Sequence, residues 1–310
     1  MNEFELIRTL TAGLPGNDTV VVGPGDDCAV IESPGGGAQL LFKTDAVVEG
    51  IHFTMETEPE KVGHKALGRC LSDVAAMGGS ATSALVTVGL PRDREVAWLK
   101  EVYRGMGELA ARHGVSIVGG ETTETSGPLF LSVAMLGEVP RGKAVLRRGG
   151  RAGDAIFVSG ELGGSLAGRH LKFEPRLREG RWLAETFDVH ALIDLSDGLA
   201  SDLRHLLNAG GVGAELMAGS IPISRAARLQ GRGESSRKPP LLAALTDGED
   251  YELLFTVAPD DAVAVLDGWK RVFPDVPLTC VGKITEAKGV RIRDEHGVRN
   301  LEAHGYTHFK

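Results

Sequence analysis

Apolar positions along the chain follow two different periods, and these outline the elements. Between Pro59 and Met77, Ala66, Leu67, Cys70, Leu71, Val74 and Ala75 recur at helical spacing, which predicts a long helix. Phe4, Ile7 and Leu10 predict a short amphipathic helix at the start, and Arg94–His113 a further one. Short β-rich runs predict strands at Thr19–Val22, Cys28–Glu32, Gln39–Val47, Ala84–Leu90, Val115–Val118 and Leu129–Val139. The stretch Pro140–Gly153 is rich in Arg, Lys and Gly and has no apolar period, so it reads as a boundary.

A second unit follows. It is expected to hold strand Asp154–Ser159, helix Ser165–Leu171, strand Ala191–Leu195 and helix Leu199–Asn208. Strands Ala214–Met217, Tyr251–Val257, Leu278–Ile284 and Val290–Arg293 complete it, with a helix between the second and third. Gly231–Pro240 reads as a flexible surface insertion. The expected fold is α/β (α+β) in two units, 1–139 and 153–310, with 140–152 as the linker.

Composition narrows the function classes. The 310 residues suffice for two domains. The net charge of -8 disfavours a nucleic-acid partner, because phosphate backbones repel acidic surfaces. Cys28, Cys70 and Cys280 are far apart with no C-x-x-C, which suits reduced thiols in a cytoplasmic protein. MNEFELIRTL lacks an apolar signal-peptide region, and no apolar run approaches the roughly 18 residues of a membrane span.

The 42 glycines cluster beside acids. The blocks are GPGDDCAV, KTDAVVEGIHF, LSDVAAMGG, GGETTET, IDLSDGL and DGEDYELLF. Singly, each also reads as turn or cap chemistry. Together they put carboxylates next to hydroxyls and exposed backbone, a chemistry that suits hard divalent cations and phosphates. Lys65, Arg69 and Asp73 are spaced i, i+4, i+8 on one helix face. A solvated, ion-paired face accounts for Lys65 and Arg69; Asp73, among small apolar residues, is expected to be partly buried. The linker cations Arg141, Lys143, Arg147, Arg148 and Arg151 read as solvated, with a phosphate contact as the sharper option, and Trp98, Trp182 and Trp269 as packing residues. There is no G-x-x-x-x-G-K-[ST], no complete G-x-G-x-x-G and no kinase catalytic loop, so phosphate chemistry here needs another arrangement.

Taken in order, GDDCAV, TDAVVEGIHF, KALGRCLSDVAAMGG, GGETT, GDAIFVSGELGGSLAG, IDLSDGLASDL, GEDYELLFTV and GYTHF resemble the thiamine-monophosphate kinases. These are related to aminoimidazole-ribonucleotide synthetase, selenophosphate synthetase and the hydrogenase-maturation dehydratase. VEGIHF and GEDYEL point to the kinases within that superfamily. The resemblance implies a PurM-like fold and a homodimer whose N-terminal sheets join in a barrel. It implies transfer of the γ-phosphoryl group of ATP to thiamine monophosphate with several Mg²⁺, and leaves a K⁺ requirement open.

By the same resemblance, Asp27, Thr44, Asp45, Asp73, Glu121, Asp194 and Asp197 are metal ligands, and Asp27, Asp45, Asp73 and Asp197 carry catalysis. Gly120, Glu121, Arg147 and Ser196 would contact ATP, and His52, Glu249 and Tyr306 the thiamine phosphate. Two positions depart from the family pattern: Glu121 stands where Asp is usual, and Lys43 where Ser or Thr is common. Two alternatives remain at this point: another ATP-dependent member of the superfamily, or a non-catalytic nucleotide or thiamine-phosphate binding protein.

Overall fold

The computed structural model describes residues 3–230 and 238–306. The first half runs α1 (Glu3–Thr11), β1 (Val20–Val22), β2 (Ala29–Glu32), β3 (Ala38–Val48), α2 (Pro59–Ala76), β4 (Ser80–Pro91), α3 (Val96–His113), β5 (Ser116–Thr125) and β6 (Phe130–Pro140). Its sheet has the order β1-β2-β3-β6-β4-β5, antiparallel except for the β4/β5 pair.

The second half runs β7 (Ala155–Ser159), α4 (Leu177–Thr186), β8 (Val189–Asp194), α5 (Leu199–Gly210), β9 (Gly213–Met217), α6 (Arg225–Gln230), α7 (Pro240–Thr246), β10 (Leu253–Val257), α8 (Ala262–Val272), β11 (Leu278–Thr285), β12 (Gly289–Asp294) and β13 (Gly297–Asn300). Its sheet has the order β13-β12-β9-β11-β7-β10-β8, with only β12/β9 parallel. Both sheets are mixed, and the fold is the expected two-domain α/β arrangement.

Helix α2 is the keystone. Pro59 opens it with its φ already set for a helix. Val62, Leu67, Leu71 and Val74 are fully buried, and so is nearly every other residue of its last three turns. It packs on β3 and β6 on one side, on α3 on another, and on α4 and β8 of the second half. One continuous core therefore runs from Leu41 and Val133 through α2 to Phe157, Phe255 and Trp269. A second core, built on Leu199, Leu203, Ala214 and Ile284, fills the other face of the second sheet. Trp182 and Trp269 meet edge-on at 6.1 Å beside Phe273, and Trp98 is partly buried beneath Arg94, so the tryptophans pack as expected.

Several expectations fail for physical reasons. A helix buried on all sides has no solvated face, so Lys65 and Arg69 are enclosed rather than exposed. Ser165–Leu171 is not an α-helix but two 3₁₀ turns, Ser165–Ala167 and Arg169–Leu171, interrupted at Gly168 with φ 128°. GGETTET is not an acidic turn; it continues strand β5. Helix α4 was not foreseen, because only Leu177, Glu179, Gly180 and Leu183 of its ten residues are buried. Most of the expected insertion, residues 231–237, lies outside the described residues, as does the end of GYTHF. Among the described residues, no helix is long and apolar enough to cross a membrane.

Candidate active site at the seam of the two sheets

Three buried carboxylates from distant parts of the chain meet where the halves join. Asp27 precedes β2, Asp73 lies in the last turn of α2 and Asp194 ends β8. One oxygen from each lies within 4.8 Å of the others. The Arg147 guanidinium donates to Asp27 Oδ1 at 2.6 Å, Ser72 Oγ to Asp194 Oδ2 at 2.6 Å and Lys43 Nζ to Asp73 Oδ1 at 2.8 Å. Asp27 Oδ2 is buried with no hydrogen-bond partner. Burial and the neighbouring Asp27 charge push Asp194 up to about 7, against Ser72, Lys43 and Arg147. Burial and Asp27 likewise push Asp26 up to about 6.

Crowded, desolvated carboxylates of this kind are unfavourable without added positive charge. An all-oxygen set with one orphaned oxygen fits a hard divalent cation such as Mg²⁺.

Asp197 belongs to a neighbouring group instead. Asp197, Asp202 and His205 bring ligand atoms within 4.8 Å of one another at the start of α5. Asp202 Oδ2 accepts the N–H groups of Asp197 and Gly198 at 3.1 and 2.9 Å, which fixes the loop. Asp202 and His205 are not among the residues that the sequence singles out. The available signal was SDLRH, a first-turn acid and a His on the helix that follows IDLSDG.

Strand alternation sorts the remaining candidates. Lys43 and Asp45 share one face of β3, and Asp45 Oδ2 pairs with Arg69 Nε at 2.8 Å. Thr44 is directed to the opposite face, its hydroxyl 3.3 Å from Ser132 Oγ, so that hydroxyl does not join the carboxylates. Glu121 is exposed on the edge strand β5 and accepts the N–H of Thr122; it joins neither carboxylate group. Beside it, Gly120 has φ 154°, and a Cβ there would lie 1.8 Å from the Val86 carbonyl oxygen, so only glycine lets β5 approach β4.

A cleft of about 140 Å³ adjoins these groups, lined by His52, Arg69, Ser196, Asp197, Glu249 and Tyr306. The three residues expected to hold thiamine phosphate therefore meet in one place. Glu249 (φ 54°) and Tyr251 (φ 52°) take left-handed backbone conformations that side-chain-bearing residues avoid. The surroundings hold them there. Glu249 N–H donates to Ser196 O at 2.7 Å and Tyr251 N–H to Leu195 O at 2.8 Å. Ser165 Oγ donates to Glu249 O at 2.5 Å. Lys65 Nζ donates to Glu249 Oε2 and to His52 O, each at 2.7 Å.

Strain kept in place by this many contacts is a common mark of a functional loop. The C-terminal segment closes the cleft: Tyr306 N–H donates to Asp197 O at 3.0 Å, and a Cβ at Gly305 would lie 1.9 Å from that oxygen. His52 Nδ1 accepts the Val48 N–H, and burial, Arg69 and Lys65 lower its pKa to about 4. A roomier cavity of about 450 Å³ lies between β3, β6 and α4, but neither carboxylate group reaches it. Chemistry rather than volume marks the smaller cleft as the site.

The fold is that of the AIR synthase related proteins. The family model for the N-terminal domain of that class matches residues 25–139, and the model for the C-terminal domain matches residues 152–295. The thiamine-monophosphate kinase of Rhodopirellula baltica is 42% identical over 293 residues, covering 92% of this chain and 89% of its own. The solved structure of AaThiL complexed with AMPPCP and TMP superposes with a TM-score of 0.80 at 31% identity, covering 99% of this chain and 97% of that one. The crystal structure of thiamine-monophosphate kinase from Stenotrophomonas maltophilia gives a TM-score of 0.75 at 34% identity, covering 92% and 93%. The chain belongs to the thiamine-monophosphate kinase family.

Proposed function

We propose that the chain transfers the γ-phosphoryl group of ATP directly to the phosphate of thiamine monophosphate. The bond from the γ-phosphorus to ADP breaks, a bond to an acceptor phosphate oxygen forms, and the products are thiamine diphosphate and ADP. The observation that carries this reading is the buried Asp27, Asp73, Asp194 group with its unpartnered Asp27 oxygen, three residues along the chain from the Asp197 that lines the cleft. Asp27, Asp73 and Asp194 would hold one Mg²⁺, and Asp45 and Asp197 would serve further ions. Bound Mg²⁺ would supply charge neutralisation and alignment of the phosphates.

The chain's own residues do the rest. An acceptor phosphate is already ionised near neutral pH, its second pKa being about 6, so no general base is needed. That fits a cleft in which burial, Arg69 and Lys65 keep His52 neutral. Glu249, held by Lys65, would face the cationic part of thiamine, and Tyr306 would offer an aromatic face. Gly120, Glu121, Arg147 and Ser196 would serve the nucleotide. Arg147, whose guanidinium donates to Asp27, would offer its remaining N–H groups to a nucleotide phosphate.

The functional unit in this reading is a homodimer with N-terminal sheets joined. Phe42 pairs across from Leu136, Leu85 lies next to them on the same outer face, and all three are exposed. An apolar sheet face of this kind suits a second copy of the chain. Residues 1–139 and 153–310 are the two units, with 140–152 between them. Free thiols at Cys28, Cys70 and Cys280 suit a reducing, cytoplasmic setting.

The test is ADP release from ATP and Mg²⁺, with and without thiamine monophosphate. Release that depends on thiamine monophosphate supports the kinase. Binding of both ligands with no release would leave a binding protein in its place. Exchanging K⁺ for Na⁺ in the same assay reads the monovalent requirement.

A further inference from the structure

Lys43 lies within the acid cluster yet has no part in the scheme above. It shares a face of β3 with Asp45, and its Nζ is 2.8 Å from Asp73 Oδ1, with side-chain exposures of 23% and 9%. The ammonium is thus in direct contact with one carboxylate of the cluster, on the strand face that carries Asp45. We propose that the Lys43 ammonium is a resident cation that takes the place of one metal ion in the acid cluster, so that the chain binds one fewer divalent ion than its carboxylates would otherwise hold.

Charge accounting supports this. Asp27, Asp73 and Asp194 carry three negative charges when ionised. Lys43 on Asp73 and Arg147 on Asp27 return two positive ones. Among the described residues, the fully buried cluster oxygen left without a hydrogen-bond partner belongs to Asp27. One position in the cluster is thus filled by an ammonium and another is open. An ammonium cannot polarise two phosphates from an octahedral shell as Mg²⁺ can, but a chelator cannot remove it.

The inference deepens the proposed function, since it takes the cluster to be a metal site; its test needs neither substrate nor turnover. Mn²⁺ binding to the full chain is followed by the electron paramagnetic resonance of free Mn²⁺, without nucleotide, for the unsubstituted protein, Lys43→Ser and Lys43→Arg. Lys43→Ser should take up one additional Mn²⁺ per chain, or bind an existing one with a Kd at least about tenfold lower. Lys43→Arg should keep the original count. An unchanged count with Kd values within about twofold in a folded Lys43→Ser protein overturns the proposal. Should Lys43→Ser be unfolded in chelator, added Mn²⁺ should restore it, and failure of that rescue also overturns the proposal. An extra ion in a chain without kinase turnover would remove the function and leave this inference. Turnover with an unchanged count would do the reverse.

Discussion

Lys65 Nζ lies 2.7 Å from Glu249 Oε2, a bond between residues 184 positions apart that ties helix α2 to the strained loop before β10. The Lys65 side chain is 1% exposed and that of Glu249 20%. Burial lowers the pKa of Lys65, and the Glu249 charge works against that. The same ammonium binds His52 O, so one buried cation ties the Glu249 carboxylate to the backbone at His52. Lys65→Met should therefore release Glu249 and raise KM for thiamine monophosphate at least about tenfold, with a smaller effect on KM for ATP. Breaking a buried pair costs about 3 kcal/mol; the partial exposure of Glu249 puts the loss below that, as read by denaturant unfolding. An unchanged KM for thiamine monophosphate would remove Lys65 from this role.

Asp197 combines a position on the cleft with a side chain grouped with Asp202 and His205. Asp197→Asn keeps the shape and removes the charge. The expected result is turnover reduced by about 10²-fold or more with an unaltered circular dichroism spectrum. Near-normal rates would exclude Asp197 from metal and phosphate binding.

His52 contributes one part of the pH dependence. Its folded pKa is lowered to about 4 by burial, Arg69 and Lys65, below its unfolded value of about 6.5. Between these values the unfolded chain binds more protons than the folded one, so stability rises with pH across that window. The His52 contribution is complete above about pH 6.5 and is lost as pH falls toward 4. Protonation would also place a hydrogen on Nδ1, where the Val48 N–H now donates. Thermal unfolding of the unsubstituted protein and of His52→Gln, compared at pH 5 and pH 7.5, should show a smaller pH difference in the variant. Equal differences would mean that His52 does not carry this linkage.

The exposed sheet face gives a fourth expectation. Leu136→Glu places a charge between Phe42 and Leu85, where the second copy is proposed to sit. Sedimentation should report a dimer for the unsubstituted protein and a monomer for the variant. A variant that remains dimeric would place the interface elsewhere.

Much of this arrangement was legible in the sequence, for physical reasons. The 59–77 helix showed itself through apolar spacing and Pro59, and α2 spans Pro59–Ala76. Asp73 stood out because an acid among small apolar residues seldom remains solvated, whereas Asp27 and Asp194 were marked by the family resemblance of their blocks. Lys65 and Arg69 were misread because periodicity cannot show that a second unit covers a helix's polar face. GGETTET was misread because turn-forming residues can also continue an edge strand, where exposure tolerates polarity. Asp202 went unnoticed because a first-turn acid is usually only a helix cap, and here it is that as well.

The most direct measurement is the product itself. The protein is incubated with ATP, Mg²⁺ and thiamine monophosphate, and thiamine diphosphate and ADP are quantified together. One thiamine diphosphate should form for each ADP released, with none formed when Mg²⁺ is chelated. ADP release without thiamine diphosphate, or thiamine diphosphate formed equally well in chelator, would contradict metal-assisted phosphoryl transfer at this site.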